Sequence, residues 1–474
     1  MNKIKLFVEN FLVYGIGGII SKIIPLIMLP IITIIMPNTE YYGISDMFNT
    51  VVSFGGAFAL MGMYDAMYRM FFENNDVNYK KAVCSVTFGF TMITSIIVSA
   101  LMVIFARPMA KFFFSSEKYF YVVLLSAMAT LVSGTNTIIS APTRMQNKRK
   151  VFVVANTIGP LIAYIIAIPM LLRGYYIIAL PVATFISGLT MEVAFFVINH
   201  KWFSTKKYDK KLLKQLLIIA IPLLPNYLIY WVFNSCDKFM ITNIIGLGDL
   251  GVYSVASKFG QCSQLIYIAF AGGWQFFAFS TMKESNQVKS NSKIFEYLGI
   301  ISFIITGFVC AWSYGLFKVL FKAEYLSGYI VAPYLFLAPL IQMLFQVASN
   351  QFLVVKKTWP NLFILIIGAL INVLLNYLLI PLFGIEGASL ATLMGYVISD
   401  VVCLIVLCHM KLMIVSKRFV IATFATITFM IIWRLLFSNQ IIIGTFMAVT
   451  LLCLLVVFYK NDLRRIICMI KGKQ

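Results

Sequence analysis

Charged side chains lie inside the first two apolar runs of this chain: Lys22 in the first, Asp46, Asp65 and Arg69 in the second, with Glu73 at its exit. A charge in hydrocarbon costs on the order of 2.5–3.5 kcal/mol even on a lenient insertion scale, so such residues face a protein interior or a water-filled cavity. Lys22 falls about eleven residues into its run, roughly 16 Å deep at the rise of a helix. It reads as an anion-binding group in a cavity, or as the partner of a carboxylate such as Asp46 or Asp65. Asp65, Arg69 and Glu73 are spaced i, i+4, i+8 and stack on one helix face. They read as a vestibule that receives a phosphate, which the bidentate fork of arginine suits, or as a row of charges paired with one another.

The second half carries a similar set. Asp237 and Lys238 come late in one apolar run, and Lys258 lies about two turns into the next. Lys258 is the stronger cavity candidate; Lys238 can reach the outer interface and serve topology alone. Glu192 and Asp400, each late in its half, read as a structural interlock or as part of a proton or sodium pathway. Gln261, Gln264, Gln342, Gln346, Asn350 and Gln351 are numerous for hydrocarbon, and Gln342, Gln346 and Asn350 form one stripe at helical spacing. That polarity fits a cavity handling sugars; hydrogen bonding between helices is the competing explanation.

No catalytic set accompanies these residues. The two histidines, His200 and His409, sit at the ends of apolar runs, and there is no GxSxG, HExxH or Walker loop. Transport without a nucleotide site draws on an ion gradient, the membrane potential or the substrate's own gradient. No cofactor is expected, with H+ or Na+ as the coupling ion. The eight cysteines form no CxxC pair, most lie in apolar runs, and they read as small core residues without a metal site.

The elements that must position these residues are membrane helices. Of 474 residues, 61% are hydrophobic, more than a soluble domain uses. The net charge of +21 is carried by short loops between apolar runs, the pattern of cytoplasmic loops rather than of a nucleic-acid surface. About fourteen runs are legible, near 11–36, 44–71, 82–106, 119–141, 151–172, 177–199, 212–245, 250–279, 294–317, 330–354, 361–382, 386–409, 418–437 and 441–459. Twelve or thirteen spans are the alternative, if closely spaced pairs are re-entrant. The runs are continuous rather than alternating, which favours helices over a barrel. Lys3 and Lys5 precede a first run too long for a cleaved signal, so it reads as a retained helix.

Lys80, Lys81, Arg144, Lys148, Arg149, Lys150, the lysines of 201–214, Lys356, Lys357 and the basic tail share one side. Arg107, Lys111, Lys118, Arg173, Lys318 and Lys322 fall on the other. That asymmetry places both termini in the cytoplasm of a multi-pass protein of the cell membrane. The basic loop at 200–214 divides the chain into residues 1–205 with six helices, 206–412 with six more, and 413–474 with two extra helices and a basic tail. The halves echo each other: an offset of 208 lays Gly43 on Gly251, Thr184 on Thr392 and Glu192 on Asp400. Repeats spaced by an even number of spans share orientation, with a cleft between them for substrate. Pro25 and Pro30 interrupt the first helix as Pro222 and Pro225 interrupt the seventh. They read as gating bends or as ordinary membrane-helix prolines.

The segments Asn10-Phe11-Leu12-Val13-Tyr14-Gly15, Lys22, Pro30 and Glu40-Tyr41-Tyr42-Gly43 resemble the start of polysaccharide-biosynthesis flippases of the multidrug/oligosaccharidyl-lipid/polysaccharide (MOP) exporter superfamily. So does the run from Leu60-Met61-Gly62-Met63-Tyr64-Asp65 to Arg69 and Glu73, and Asn376 to Thr392 is similar to the second-half signature. The resemblance implies a flippase of polyprenyl-pyrophosphate-linked oligosaccharide repeat units, working by alternating access and driven by an ion gradient. It implies Lys22, Arg69 and Lys258 as phosphate contacts, and Asp46 and Asp65 as coupling or charge-balancing groups. The family's cavity cations are often arginine; Lys22 and Lys258 depart from that and would meet phosphate as point charges. Membrane lipids, a polysaccharide polymerase and glycosyltransferases are the partners such a role brings. Peptidoglycan-precursor flippases and cation-coupled multidrug exporters of the same superfamily are the alternatives.

Overall fold

A computed structural model describes residues 23–203, 209–267, 270, 274, 286–355, 357, 359–462 and 464. Among them there is no strand. The helices are α1 (Ile23–Ile35), α2 (Thr39–Leu60), α3 (Met63–Phe71), α4 (Val77–Ile104), α5 (Ala106–Phe114), α6 (Phe120–Met145), α7 (Arg149–Leu172) and α8 (Ala179–Asn199). They continue as α9 (Lys210–Ala220), α10 (Leu224–Ile244), α11 (Leu247–Gly260), α12 (Gln287–Leu320), α13 (Gly328–Val354), α14 (Trp359–His409), α15 (Lys417–Ile432) and α16 (Ile441–Phe458). Ten described helices are long and apolar enough to cross a bilayer, or eleven if the bent pair α2–α3 counts as one span. The all-helical membrane architecture is therefore as the sequence suggests, while the figure of fourteen spans remains the sequence's own.

Two expected spans differ in form. The run 44–71 is not one helix: the chain bends by 48° between α2 and α3. Met61 and Gly62 are both left-handed, at φ 45° and 76°. A side chain on Gly62 would also meet the Ala220 carbonyl oxygen at 2.5 Å, so glycine is required both for the turn and for the approach of α9. The runs 361–382 and 386–409 are two helical segments of α14, as the sequence suggests, joined at Gly384, whose φ of 56° and ψ of −135° are non-helical. Each segment has about 25 residues and, at 1.5 Å per residue, is about 37 Å long, enough for one bilayer core. In the run 212–245, Pro222 lies in the 3-10 turn Ile221–Leu223 that separates α9 from α10, and Pro225 opens α10. Proline lacks the N–H that a continuous helix would use there.

The chain forms two compact units. The first comprises residues 1–254 with 373–388, the second 255–372 with 389–474. In the first, α6 packs against α2, α4 and α8. Small residues and hydroxyls let these helices approach: Ser99 Oγ donates to the Ala127 carbonyl at 2.8 Å, and Thr94 Oγ1 to the Ala59 carbonyl at 2.6 Å. Lipid offers no hydrophobic drive for helix pairing, so close packing and such bonds supply it. In the second unit α12 packs against α13, α15 and α16. There the buried Glu296 accepts hydrogen bonds from Ser416 Oγ at 2.5 Å and from the Tyr459 hydroxyl. Arg418 bridges onward to Asp462 at 2.8 Å. This cluster ties the last two helices to the rest of the second unit.

Candidate functional site

Two groups of polar residues stand out in the first unit, and each is set by a local feature of the sequence. The first lies where α2 meets α10 and the start of α11. A side chain on Gly43 would lie 2.1 Å from the Leu247 carbonyl oxygen, and one on Gly251 would lie 1.9 Å from that of Thr39. Thr39 and Leu247, like Gly43 and Gly251, are separated by 208 positions, so the contact is reciprocal across the two sequence repeats. One turn further, Asp46 accepts a hydrogen bond from Ser254 Oγ at 2.7 Å, again a pair separated by 208 positions. Asp46 also pairs with Lys238 Nζ at 2.8 Å, with side-chain exposures of 4% and 14%. Asp237 accepts the Lys238 backbone N–H at 2.8 Å and the Tyr253 hydroxyl. Asp46 thus holds the buried ammonium, while Asp237 is bonded to the backbone of the same residue, and removing the ammonium would strand Asp46.

The second group is on α3 and the turn residues Phe72 and Glu73 that follow it, and it falls into three sectors. Met63, Ala66, Met67 and Met70 are buried against Leu212, Leu216 and Ala220 of α9 and against Val83 and Val86 of α4. Asp65, Arg69 and Glu73 form an exposed charged stripe. Tyr64, Tyr68 and Phe72 form an aromatic stripe beside it, with ring centroids 6.2 Å and 5.4 Å apart. Asp65 accepts the Tyr227 hydroxyl of α10, and the Tyr64 hydroxyl accepts from Arg144 Nη1 at 3.1 Å. The Arg144 guanidinium lies over the Phe152 ring at 5.0 Å. Among the described residues no ion pair joins Asp65, Arg69 and Glu73, so the reading as mutually paired charges is not realised.

The remaining expected residues lie as follows. Lys22 is outside the described residues. Glu192 is half-buried on α8 beside Thr135 of α6. In the second unit, Lys258 is half-buried near the end of α11, and Gln261 donates to Ser257 Oγ at 3.4 Å. Gln342, Gln346 and Asn350 are the half-buried stripe of α13, flanked by Met343, Leu344, Val347 and Ala348, which are buried. Gln346 Oε1 is buried without a hydrogen-bond partner among the described residues, whereas Gln351 is bonded to Gln287 at 2.8 Å. Asp400 on α14 is buried, and its Oδ1 has no hydrogen-bond partner among the described residues. Among the described residues no group of three or more His, Cys, Asp or Glu is placed to hold a metal ion.

Sequence reasoning missed three partners. Lys238 was open to a purely topological reading, but it is the cation of Asp46. Ser254 was legible from the offset of 208 applied to Asp46 and was not singled out. Arg144 counted only as loop charge, although it holds Tyr64.

A family model described as polysaccharide biosynthesis protein matches residues 34–329. The chain belongs to this family. An uncharacterized membrane protein of Methanocaldococcus jannaschii is 29% identical over 200 residues, 40% of this chain. That match spans 38% of the relative's length. Among solved structures, the lipid II flippase MurJ in an inward closed conformation aligns with a TM-score of 0.74, covering 95% of this chain and 100% of that one at 15% identity. A multidrug resistance MATE family transporter of the MOP superfamily, inward-facing, aligns at 0.66, covering 82% and 94% at 12% identity. This polysaccharide biosynthesis protein is thus a multi-pass helical membrane protein with the fold of MOP-superfamily transporters.

Proposed function

We propose that the protein is a flippase that carries polyprenyl-pyrophosphate-linked oligosaccharide repeat units across the cell membrane by alternating access, for surface polysaccharide biosynthesis. The observation that carries this reading is membership of the polysaccharide biosynthesis family in a chain of transporter fold. The exposed Arg69 stripe supports it. That stripe packs through α3 with Leu212 of α9, Trp202, Phe203 and Met145, beside the basic loops of 144–150 and 201–214. The positive-inside rule makes this the cytoplasmic end, where such a substrate is loaded, and places both termini there.

In this reading Lys22, Arg69 and Lys258 meet the pyrophosphate, while Gln261, Gln342 and Gln346 meet sugar hydroxyls. Asp46 and Asp65 balance cavity cations. Asp400, buried with an unbonded oxygen, carries the coupling proton or sodium ion, with Glu192 and Glu73 in the same supporting role. Glycosyltransferases supply the substrate and a polymerase consumes it.

The test is Lys22→Ala and Arg69→Ala in the native host. Each variant should abolish surface polysaccharide while the protein reaches the membrane at its normal level. Full polymer from both would refute the reading. The alignment with MurJ over 95% of the chain favours, as a second reading, a flippase of a lipid-linked peptidoglycan precursor. Dispensability for growth supports the first reading over the second; essentiality supports the second.

A further inference from the structure

We infer that the exposed side of α3 is a carbohydrate-binding surface, in which Tyr68 and Phe72 stack on pyranose rings and Asp65 accepts their hydroxyls. The inference rests on the flippase reading and adds to it a class of ligand for Tyr68 and Phe72, which have no role there. A sugar ring presents a face of C–H groups, weakly positive, and a rim of hydroxyls. Its complement is an aromatic face, with negative quadrupole, beside a charged acceptor and donor.

The two stripes on α3 provide this arrangement. Tyr64, Tyr68 and Phe72 follow one another at one-turn spacing, and Asp65, Arg69 and Glu73 run parallel one residue away. Tyr68 and Phe72 are 38% and 55% exposed although their helix is anchored by a buried methionine face. The surface is also held in place. Tyr227 fixes Asp65, and Arg144 fixes Tyr64, both from other helices. Fixing binding groups in advance lowers the ordering cost of a ligand. A carboxylate has about four lone-pair sites, so Asp65 keeps acceptor capacity beyond the Tyr227 bond. The formal charges of Asp65, Arg69, Glu73 and Arg144 cancel, which suits a neutral sugar and leaves Arg69 for the phosphate joined to it. The ring recognised is therefore the sugar nearest the pyrophosphate.

The full chain in lipid nanodiscs tests this with two probes: undecaprenyl pyrophosphate carrying one N-acetylhexosamine, and undecaprenyl pyrophosphate alone. The double variant Tyr68→Ala/Phe72→Ala should bind the sugar-bearing probe about tenfold more weakly, two ring contacts' worth. Its affinity for the bare probe should change less than about twofold. Tyr68→Phe, which keeps the ring, should retain binding of both. Equal loss on both probes, or no loss on either, overturns the inference. No loss of binding together with lowered thermal stability identifies the rings as an interfacial belt and overturns it as well. A wild type that binds neither probe overturns the flippase reading and this inference with it.

Discussion

Replacing Lys238 with methionine keeps the length and volume of the side chain and removes the cation paired with Asp46. The Lys238 Nζ to Asp46 distance is 2.8 Å and both side chains are at most 14% exposed, so water cannot take the ammonium's place. Breaking a buried pair on one side costs about 3–5 kcal/mol, mostly from the stranded charge. For a cooperative unit of the size of residues 1–254 with 373–388, that corresponds to a fall in Tm on the order of 6–12 °C. Asp46→Asn/Lys238→Met removes both charges, and the amide oxygen of the introduced asparagine still accepts from Ser254. The double variant should recover more than half of the loss. It should not recover all of it, because Asp237 still lacks its neighbouring cation, although it keeps Tyr253 and the backbone N–H at 238. The assay is thermal unfolding of the purified proteins in one detergent, followed by intrinsic fluorescence. Losses that simply add, with coupling below about 0.5 kcal/mol, would refute the cluster as an energetic unit.

Three further outcomes are expected. Gly251→Ala should prevent α11 from seating on α2, since its Cβ would lie 1.9 Å from the Thr39 carbonyl oxygen; well-folded protein at wild-type yield and Tm would contradict this. Tyr227→Phe leaves Asp65 without its donor and should reduce substrate affinity several-fold with little change in Tm, because Asp65 is exposed; unchanged affinity would remove Tyr227 from the site. Asp462 gives a pH signature. Burial pushes its carboxyl upward, but the hydrogen bond and charge of Arg418 outweigh that and hold it below the usual range. A depressed folded value means stability present above the unfolded pKa of about 3.9 and lost as pH falls through the folded one. Asp462→Asn should flatten that acid-side loss while leaving the rest of the pH profile unchanged.

How much of this was legible in the sequence depended on whether a feature is local. Apolar runs of bilayer length are a one-dimensional signal, so helices, membrane residence and the proline interruption at Pro222 were all readable. The bend at Met61–Gly62 was less so. A single glycine in an apolar run is ordinary, and only the approach of Ala220, about 160 positions away in the chain, makes it obligatory. The stripe at Gln342, Gln346 and Asn350 was visible because helical periodicity writes it directly. The partner of Asp46 was not, because a buried charge chooses among all cations within reach in space. Lys238 and Ser254 lie about 190 and 208 positions away. The repeat offset contained that contact in principle, since it carries Asp46 onto Ser254. Spacing alone marked the charged stripe of α3, while its aromatic neighbour looked like common membrane-helix composition.

Reconstitution addresses the central claim most directly. Purified protein in liposomes, supplied with a fluorescent polyprenyl-pyrophosphate oligosaccharide and an imposed ion gradient, should move the labelled lipid between leaflets faster than protein-free vesicles, as read by an impermeant quencher. Arg69→Ala should lower that rate at least tenfold at equal incorporation. Wild-type protein that leaves the lipid-linked sugar in its original leaflet under both H+ and Na+ gradients would contradict the account.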